Sequence, residues 1–461
     1  MKLKEIDIPN FGISKFQPEI GNEIFHKRLE RFKKDLRENS FGSAIIYADR
    51  EHFANMHYLS NFEPRFEEAL LIINIEEDDD ILVTGPENQG YSNISKIKLK
   101  KINYPTLGLL SQDRSSKINI IEIIEKCIKI KNKKVGLVGW KYFTKDEFED
   151  PEHIYDIPHY IITNINKVFK DFSKLINITS WFNNPENGYR AINDIDELAY
   201  MEYSSCHTSN SIKNVLKNIK ENITEFEAAS HYKPIGIPLN CHIMFSTGER
   251  VKLGLSSPSS KIIKLGDPFA TAYGVWGSLN CRVGWIAKDE NDLPYKCRDY
   301  FEKLIIPYCS AVKDWYESIS LDCNGGLIFN KVMKKIGDPF FGVELNPGHL
   351  IHKDEWLSSP IYKNSEIKFK SRQALQMDII PATNSNYFST NLEDGIFILN
   401  KNDKKIFSDK YPEAMERIEL RREFMINKLG INLKPEIMPL SNIPAVLSPF
   451  ILNFNKVVEF R

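Results

Sequence analysis

A pattern of two helices followed by extended segments occurs twice between residues 193 and 400 of this 461-residue chain, and it constrains the fold more than any other feature. The first copy has helical stretches at 193–220 and 223–232, with Thr224 as N-cap and Glu227 in the capping-box position. Extended segments CHIMFST, KIIKLG and PFATAYGVWGSLNCRVGWIA follow it. The second copy has helices at 297–319 and 326–337, then FFGVEL, ALQMDIIPAT and DGIFILN. The pattern predicts an α+β domain with an internal pseudo-two-fold repeat and a ligand cleft between its halves.

The first third of the chain predicts an α/β domain. Apolar strands at SAIIYA, EALLIINI, DDILVTG and KKVGLVGW alternate with helical segments near HKRLERFKKDLREN and IIEIIEKCIKI. Acidic residues at 76–80 indicate a turn between the second and third strands. Strands that alternate with helices favour a mostly parallel sheet covered on both faces. The segment WFNNPENGYR is rich in Asn, Pro and Gly, so we expect domains at 1–185 and 186–461.

Composition argues against several classes of function. Lys plus Arg (61) nearly balance Asp plus Glu (62), so no global field attracts nucleic acid or a membrane surface. The N-terminal segment has no signal-peptide pattern, and no run approaches the roughly 20 apolar residues of a spanning helix. The seven cysteines are scattered and form no CxxC pair, which argues against a disulfide framework or zinc ribbon. We therefore expect a cytoplasmic protein with neither a nucleic-acid nor a membrane partner.

Short motifs after residue 220 occur in the order and at the spacing of a known family. They are the ITEFEAA helix start, the STG turn at 246–248, the LGD turn at 265–267, NPGH ending at His349, MDIIPA with Asp378, and NLEDG with Glu393. The chain resembles the pita-bread family of creatinase, aminopeptidase P, prolidase and methionine aminopeptidase, and its first domain is similar to the N-terminal domain of the first three. The resemblance implies a creatinase N-terminal-like α/β domain, a pita-bread α+β domain, hydrolysis of a C–N bond and a homodimer.

The resemblance also implies a metal site, from which this sequence departs. In the metallopeptidases of the family, two hairpin aspartates after the LGD turn, one histidine and two glutamates hold two metal ions. No Asp or Glu occurs here from Pro268 to Lys288, so the hairpin supplies neither aspartate. His349 matches the ligand histidine, Asp378 replaces the first glutamate and Glu393 matches the second. We therefore expect no metal cofactor, the alternative being a single Mn, Zn or Fe ion on these three residues.

The family's acid/base histidine is absent as well. It lies between the STG and LGD turns, but no histidine occurs between His242 and His349, and the matching position is near Ser256 and Ser257. Creatinase, the metal-free member, keeps that histidine as its base. The sequence therefore departs from both the metal-dependent and the metal-free pattern, and His242 is the candidate to substitute.

Three residues are predicted to be catalytic: His349 as base or acid, with Asp378 and Glu393 as neighbouring carboxylates. Without a metal these acids repel, so one should have a raised pKa. Arg282 resembles the arginine that follows the second family aspartate, and near Glu393 it would orient a carboxylate or hold one on the substrate. The candidates for substrate binding are His242, Arg282, His352, Glu355, His57 and Arg65. For each, a buried or solvated structural role is the alternative, as it is for Cys281, whose thiolate could assist a metal.

Three functions are compatible with these residues. The first is a metal-independent, creatinase-like hydrolase that cleaves an amide or other C–N bond in a small polar molecule or short peptide. The second is a non-catalytic pita-bread protein that binds through the inherited cleft. The third is an Xaa-Pro metallopeptidase, against which the missing aspartates argue. The retained His349, Asp378 and Glu393 favour an enzyme, because a scaffold has no reason to hold three polar groups in one cleft.

Overall fold

The computed structural model describes residues 1–76, 80–115 and 118–461, so most of the predicted acidic turn at 76–80 lies outside the described residues. The chain divides into two compact units, which we call the first unit (Ile20–Arg190) and the second unit (Met1–Glu19 with Ala191–Arg461). The sequence placed the N-terminal segment in the first domain. It belongs to the second unit because strand β1 (Lys2–Glu5) pairs antiparallel with the last strand of the chain.

The first unit contains a six-stranded sheet in the order β5-β4-β3-β2-β6-β7. Its strands are β2 (Phe41–Ala48), β3 (Ala69–Asn74), β4 (Ile81–Thr84), β5 (Lys100–Asn103), β6 (Lys134–Val138) and β7 (Leu175–Asn177). Of these described strands, β3 alone runs against the others. Both β2 and β3 are buried along their whole length, as expected for apolar strands covered on both faces.

Helices surround this sheet. They are α1 (Asn22–Glu38), α2 (Ala54–Ser60), α3 (Asn88–Tyr91), α4 (Ile120–Cys127), α5 (His159–Phe169) and α6 (Ser180–Asn183). The apolar stripes of α4 and α5 pack with β2, β3 and β4 in one core, while α1 and α2 contact β2. Among the described residues of the whole chain, no helix is both long and apolar enough to cross a bilayer.

The second unit contains two successive sets of two helices and three strands. The first set is α7 (Ile195–Asn218), α8 (Glu225–Ala229), β8 (Met244–Thr247), β9 (Pro268–Val275) and β10 (Ser278–Trp285). The second is α9 (Ile306–Ser318), α10 (Gly325–Ile336), β11 (His349–Leu350), β12 (Gln373–Met377) and β13 (Asn391–Ile398). The chain ends with α11 (Lys401–Lys410), α12 (Pro412–Phe424), β14 (Ile437–Pro439) and β15 (Lys456–Glu459).

The strands of both sets form one antiparallel sheet in the order β11-β12-β13-β10-β9-β8, and β14 also pairs with β13. The third strand of each set, β10 and β13, therefore lies at its centre. The predicted capping box is present: the Glu227 N–H donates to Thr224 Oγ1, and the Thr224 N–H donates to the Glu227 carboxylate. KIIKLG and FFGVEL form no strand, because Gly266 (φ 79°) and Gly342 (φ 55°) turn the chain there.

Candidate active site

Side chains from several strands meet on one face of the second unit's sheet. Cys281 of β10 pairs directly with Glu393 of β13, and His349 of β11 pairs with Gln376 of β12. Residues two apart on a strand share a face, so Asp378 continues the face of Gln376. In the β12–β13 pairing, Met377 lies opposite Asp394. Continuing this antiparallel register by one residue places Asp378 opposite Glu393. The sheet thus brings together His349, Asp378 and Glu393, whose donor atoms lie within 4.8 Å of one another.

The imidazole of His349 is fully buried and has an unusual electrostatic environment. Its ring stacks on Trp356, with centroids 4.1 Å apart, and its Nδ1 lies 3.2 Å from the Leu350 carbonyl oxygen. If Nδ1 donates its proton to that carbonyl, Nε2 carries the lone pair. Nε2 lies 3.1 Å from Glu355 Oε1 and 3.9 Å from Glu393 Oε1. A lone pair that faces two carboxylates requires a proton or a cation between them.

We call His349, Glu355, Asp378 and Glu393 the carboxylate cluster. Burial raises the pKa of Asp378 to about 6. Burial also raises the pKa of Glu393 well above its ordinary value, and the nearby Asp378 and Glu355 raise it further. Burial lowers the pKa of His349, but Glu355 and Asp378 outweigh burial and the net shift is upward. The expected raised carboxyl pKa is present, and the cluster holds three acids against one imidazole.

Two amides that the sequence analysis missed orient these acids. Gln376 Nε2 donates to Glu393 Oε1 at 3.0 Å and to the Leu279 carbonyl at 2.7 Å. Asn391 Nδ2 donates to Asp378 Oδ1 at 3.4 Å. Gln376 stands two residues before Asp378, and Asn391 stands two before Glu393. Strand alternation from each predicted acid would have identified both amides.

Arg282 was expected to bind substrate near Glu393, and the structure gives it a different role. It follows Cys281 on β10, so its side chain leaves the opposite face of the sheet. There it forms a buried ion pair with Asp394, with Nη2 at 2.9 and 2.8 Å from the two carboxylate oxygens. Its other hydrogen bonds go to the backbone carbonyls of Cys281, Glu393, Ile443 and Val446. Because these partners engage the buried guanidinium on the face opposite His349 and Glu393, Arg282 is a structural group.

Of the residues after His349, Glu355 joins the cluster and His352 does not. Strand β11 ends at Leu350 and the chain bends, so Glu355 reaches His349 through the bend and not through regular strand alternation. The same bend directs His352 to Glu197 near the start of α7, where its Nε2 lies 3.1 Å from Glu197 Oε1. The predicted substrate contact of His352 is therefore replaced by a buried contact with this helix.

The structure gives the remaining candidates local surroundings of their own. His242 is exposed, and its Nε2 lies 2.7 Å from the Leu255 carbonyl, beside the segment where the family histidine is missing. In the first unit, His57 is buried in α2. Arg65 is bound to Glu63 (Nε to Oε1, 2.7 Å) and to the Tyr91 hydroxyl (2.8 Å). The substrate-binding roles of His242, His57 and Arg65 stay predictions.

Beside the cluster, on the same face of the sheet, the β9–β10 hairpin presents a neutral surface. Ala272 pairs with Cys281, and Ala270 lies on the same face two residues away. We call Ala270, Ala272 and Cys281 the hairpin wall. It offers no carboxylate, in agreement with the acid-free stretch of the sequence, so a second metal ion would lack its oxygen ligands there.

A cavity of about 480 Å³ is lined in part by residues that follow Asp378 in the sequence. Ile380 and Ala382, two and four residues after this acid, contribute to its lining. Val251 and Phe388 add apolar surface, while Lys252 and Glu344 introduce charges of opposite sign. The cavity could accept an apolar group of a bound molecule.

Comparisons with known proteins identify the fold. No protein-family model and no curated protein sequence matches the chain. Among solved structures, it is similar to the Xaa-Pro dipeptidase from Bacillus anthracis (13% identity, 82% of this chain and 96% of that chain, TM-score 0.60). It is also similar to the X-Pro aminopeptidase from Thermotoga maritima MSB8 (14%, 81% and 95%, 0.62) and to the prolidase from Pyrococcus furiosus (16%, 80% and 96%, 0.59). The chain therefore has the pita-bread fold of these peptidases.

Proposed function

We propose that the second unit is a C–N bond hydrolase whose carboxylate cluster binds one divalent cation. The observation that carries the proposal is the buried Nε2 of His349, which faces the carboxylates of Glu355 at 3.1 Å and Glu393 at 3.9 Å. A buried lone pair beside carboxylates is costly unless a positive charge lies between them. A divalent ion would supply that charge and would use His349, Asp378 and Glu393 as its ligands.

The residues fit one ion and do not fit two. His349, Asp378 and Glu393 provide a nitrogen and carboxylate oxygens within 4.8 Å of one another, a set suited to Mn, Fe or Zn. The hairpin wall provides alanines and a thiol where a second ion would need carboxylates. The proposal therefore departs from the preference for a metal-free site that the sequence alone suggested.

The surrounding side chains can support hydrolysis. A divalent ion bound there would polarise a carbonyl oxygen and lower the pKa of bound water. Trp356 and the Leu350 carbonyl hold the imidazole of His349 in one orientation, and Gln376 fixes Glu393. Glu355 is the member of the cluster with substantial exposure, its side chain being 26% accessible, so it is suited to exchange a proton with substrate or solvent.

The fold neighbours support a peptide or a small amide as substrate. Their printed names describe Xaa-Pro dipeptidase, aminopeptidase and prolidase activities, which we transfer to this chain only as a proposal. A metal-free enzyme is the second candidate. The raised pKa of His349 favours it, because a proton on Nε2 would satisfy the same carboxylates.

Hydrolysis assays with metal-stripped and metal-reloaded full-length protein test the proposal. Xaa-Pro dipeptides and small amides should be cleaved after loading with Mn²⁺, Fe²⁺ or Zn²⁺ and not after chelation. His349→Ala should reduce the rate at least about 100-fold, whereas His26→Ala, which alters an exposed histidine of α1, serves as the control. Activity that survives chelation would select the metal-free mechanism. Metal binding without cleavage of any substrate would indicate a binding protein instead.

A further inference from the structure

The cavity of about 480 Å³ in the second unit has the size and the lining of a binding site. Sites for small molecules enclose roughly 300–1,000 Å³ and are lined mainly by apolar side chains. Val251, Ile380 and Phe388 line this cavity, and Leu345 adds a side chain that is 53% exposed. A leucine left half exposed beside a concave apolar surface is typical of a ligand groove.

The chain connects this cavity closely to the carboxylate cluster. Ile380 follows Asp378 by two residues, and consecutive Cα atoms are about 3.8 Å apart, so the Cα atoms of this pair lie within about 7.6 Å. Leu345 precedes His349 by four residues, which limits their Cα separation to about 15 Å. An extended peptide advances roughly 3.3–3.6 Å per residue. A substrate whose scissile bond lies at the cluster can therefore place a neighbouring side chain in the cavity.

The segment 379–390 forms one wall of the cavity and is fixed in shape. Asn391 Nδ2 donates to Asp378 Oδ1 at 3.4 Å, so a member of the cluster helps to tie the two ends of the segment together. Within the segment, the Thr383 N–H and the Thr383 hydroxyl both donate to the Phe388 carbonyl oxygen, at 3.0 and 2.9 Å. A wall that is already ordered loses little conformational freedom when a ligand binds.

Phe388 has a backbone conformation that a bulky residue rarely adopts, with φ at 57°. Its ring makes an edge-on contact with Trp285, with centroids 5.6 Å apart, and Lys252 Nζ lies 4.8 Å from its centroid. Strained backbone of this kind persists only where surrounding contacts fix it, and it occurs preferentially at ligand sites. The conformation of Phe388 therefore agrees with a binding role for the cavity.

The charges at the cavity favour neither an anion nor a cation. Lys252 and Glu344 have opposite signs, and both are exposed to solvent, which screens them. We propose that the cavity is the subsite for a large apolar side chain, of leucine or phenylalanine size, next to the scissile bond. The substrates are then short peptides or amides that carry such a residue. This inference rests on the proposed hydrolysis at the carboxylate cluster.

Paired dipeptides test the inference on full-length, metal-loaded protein. The kcat/KM for Phe-Pro should exceed that for Gly-Pro, or the kcat/KM for Gly-Phe that for Gly-Gly, by at least about tenfold, as expected when a large apolar side chain is buried. Ala382→Phe fills the cavity and should bring the favoured ratio close to one. Leu345→Asp, which changes an exposed side chain, should lower the ratio as well. The control is Ile406→Phe at an exposed position of α11, which should keep the wild-type ratio.

The outcomes separate this inference from the proposed function. Equal kcat/KM values within both pairs, or a ratio that neither Ala382→Phe nor Leu345→Asp changes, would overturn the subsite and leave the hydrolase intact. Calorimetric binding of the same dipeptides to metal-stripped protein measures the cavity without the reaction. Tighter binding of the phenylalanine peptides with no cleavage would support the cavity as an apolar binding site while the proposed hydrolysis fails. Equal binding with no cleavage would overturn both.

Discussion

Glu393 and Asp394 are adjacent on β13, yet their carboxylates lie on opposite faces of the sheet and have different partners. Asp394 is paired with the Arg282 guanidinium, and the backbone N–H of Ala445 also donates to it. Within the described part of the chain, Glu393 has no cationic partner other than the His349 imidazole, and Asp378 and Glu355 repel it. One face carries an arginine–carboxylate ion pair, and the other carries three acids around a single imidazole.

The difference distinguishes a charge that stabilises the fold from a charge kept for binding. A buried carboxylate with an arginine and several hydrogen bonds is satisfied by the protein itself. A buried group of three acids around one imidazole is not, and its cost is compensated only when a cation binds. Substitutions on the two faces should therefore change the stability of the metal-free protein in opposite directions.

The largest effect is expected for Arg282→Met. It leaves Asp394 buried without its cation and should lower the free energy of unfolding by about 3–5 kcal/mol. Urea denaturation of the metal-free protein measures the change. The control is Arg298→Met, which removes an exposed arginine and should alter stability by less than about 0.5 kcal/mol. A loss at Arg282 no larger than the control would show that the ion pair is not a structural element.

A smaller effect of opposite sign is expected for Glu393→Gln. Because burial and the neighbouring acids raise the pKa of Glu393, folding must either protonate this carboxyl or leave it repelled. The amide removes that cost, so the metal-free protein should gain about 0.5–2 kcal/mol, the range usual when a residue kept for function is replaced. The same denaturation experiment measures it, with Asp394→Asn as the matched control that should destabilise. A clear loss of stability for Glu393→Gln would contradict the view that the cluster carries uncompensated charge.

The smallest expected effect is on the pH dependence of stability, and it concerns a third buried carboxylate, that of Glu202. Burial raises the pKa of Glu202, but Arg421 and Arg417 outweigh burial and the net shift is downward. For Asp394 burial outweighs Arg282, and the pKa is raised. A lowered pKa in the folded state contributes stability above the unfolded value, and this contribution is lost as pH falls through the folded value.

Denaturation midpoints measured from roughly pH 6 to pH 3 should show this acid-dependent loss. In Glu202→Gln the loss should be weaker, because the titrating group is gone, although the variant starts from a lower stability. An unchanged pH dependence would remove Glu202 as a source of acid sensitivity.

The sequence predicted much of the fold because hydrophobic period and caps are local properties. The α7 and α10 helices and the β9–β10 hairpin lie where apolar spacing and turn residues indicated them. The packing of the N-terminal segment against β15 was missed, since pairing across the whole length of the chain leaves no local signal. FFGVEL also failed as a strand, because Gly342 adopts a left-handed conformation within it.

At the site, the residue types were predictable and their partners were not. The sequence identified His349, Asp378 and Glu393, and the structure brings them together. It placed the Arg282 side chain beside Glu393. Cys281, the partner of Glu393, immediately precedes Arg282 on β10, so strand alternation puts the Arg282 side chain on the other face of the sheet. The approach of Glu355 to His349 depends on a bend after Leu350 that no residue pattern specified.

The number of metal ions bound per chain tests the central claim most directly. Wild-type protein, stripped and then titrated with Zn²⁺ in a calorimeter, should bind one equivalent tightly, and elemental analysis after desalting should find the same number. His349→Ala should bind none, because it removes the nitrogen ligand. Two tight equivalents, or none in the wild type, would contradict the account of a single cation in the carboxylate cluster.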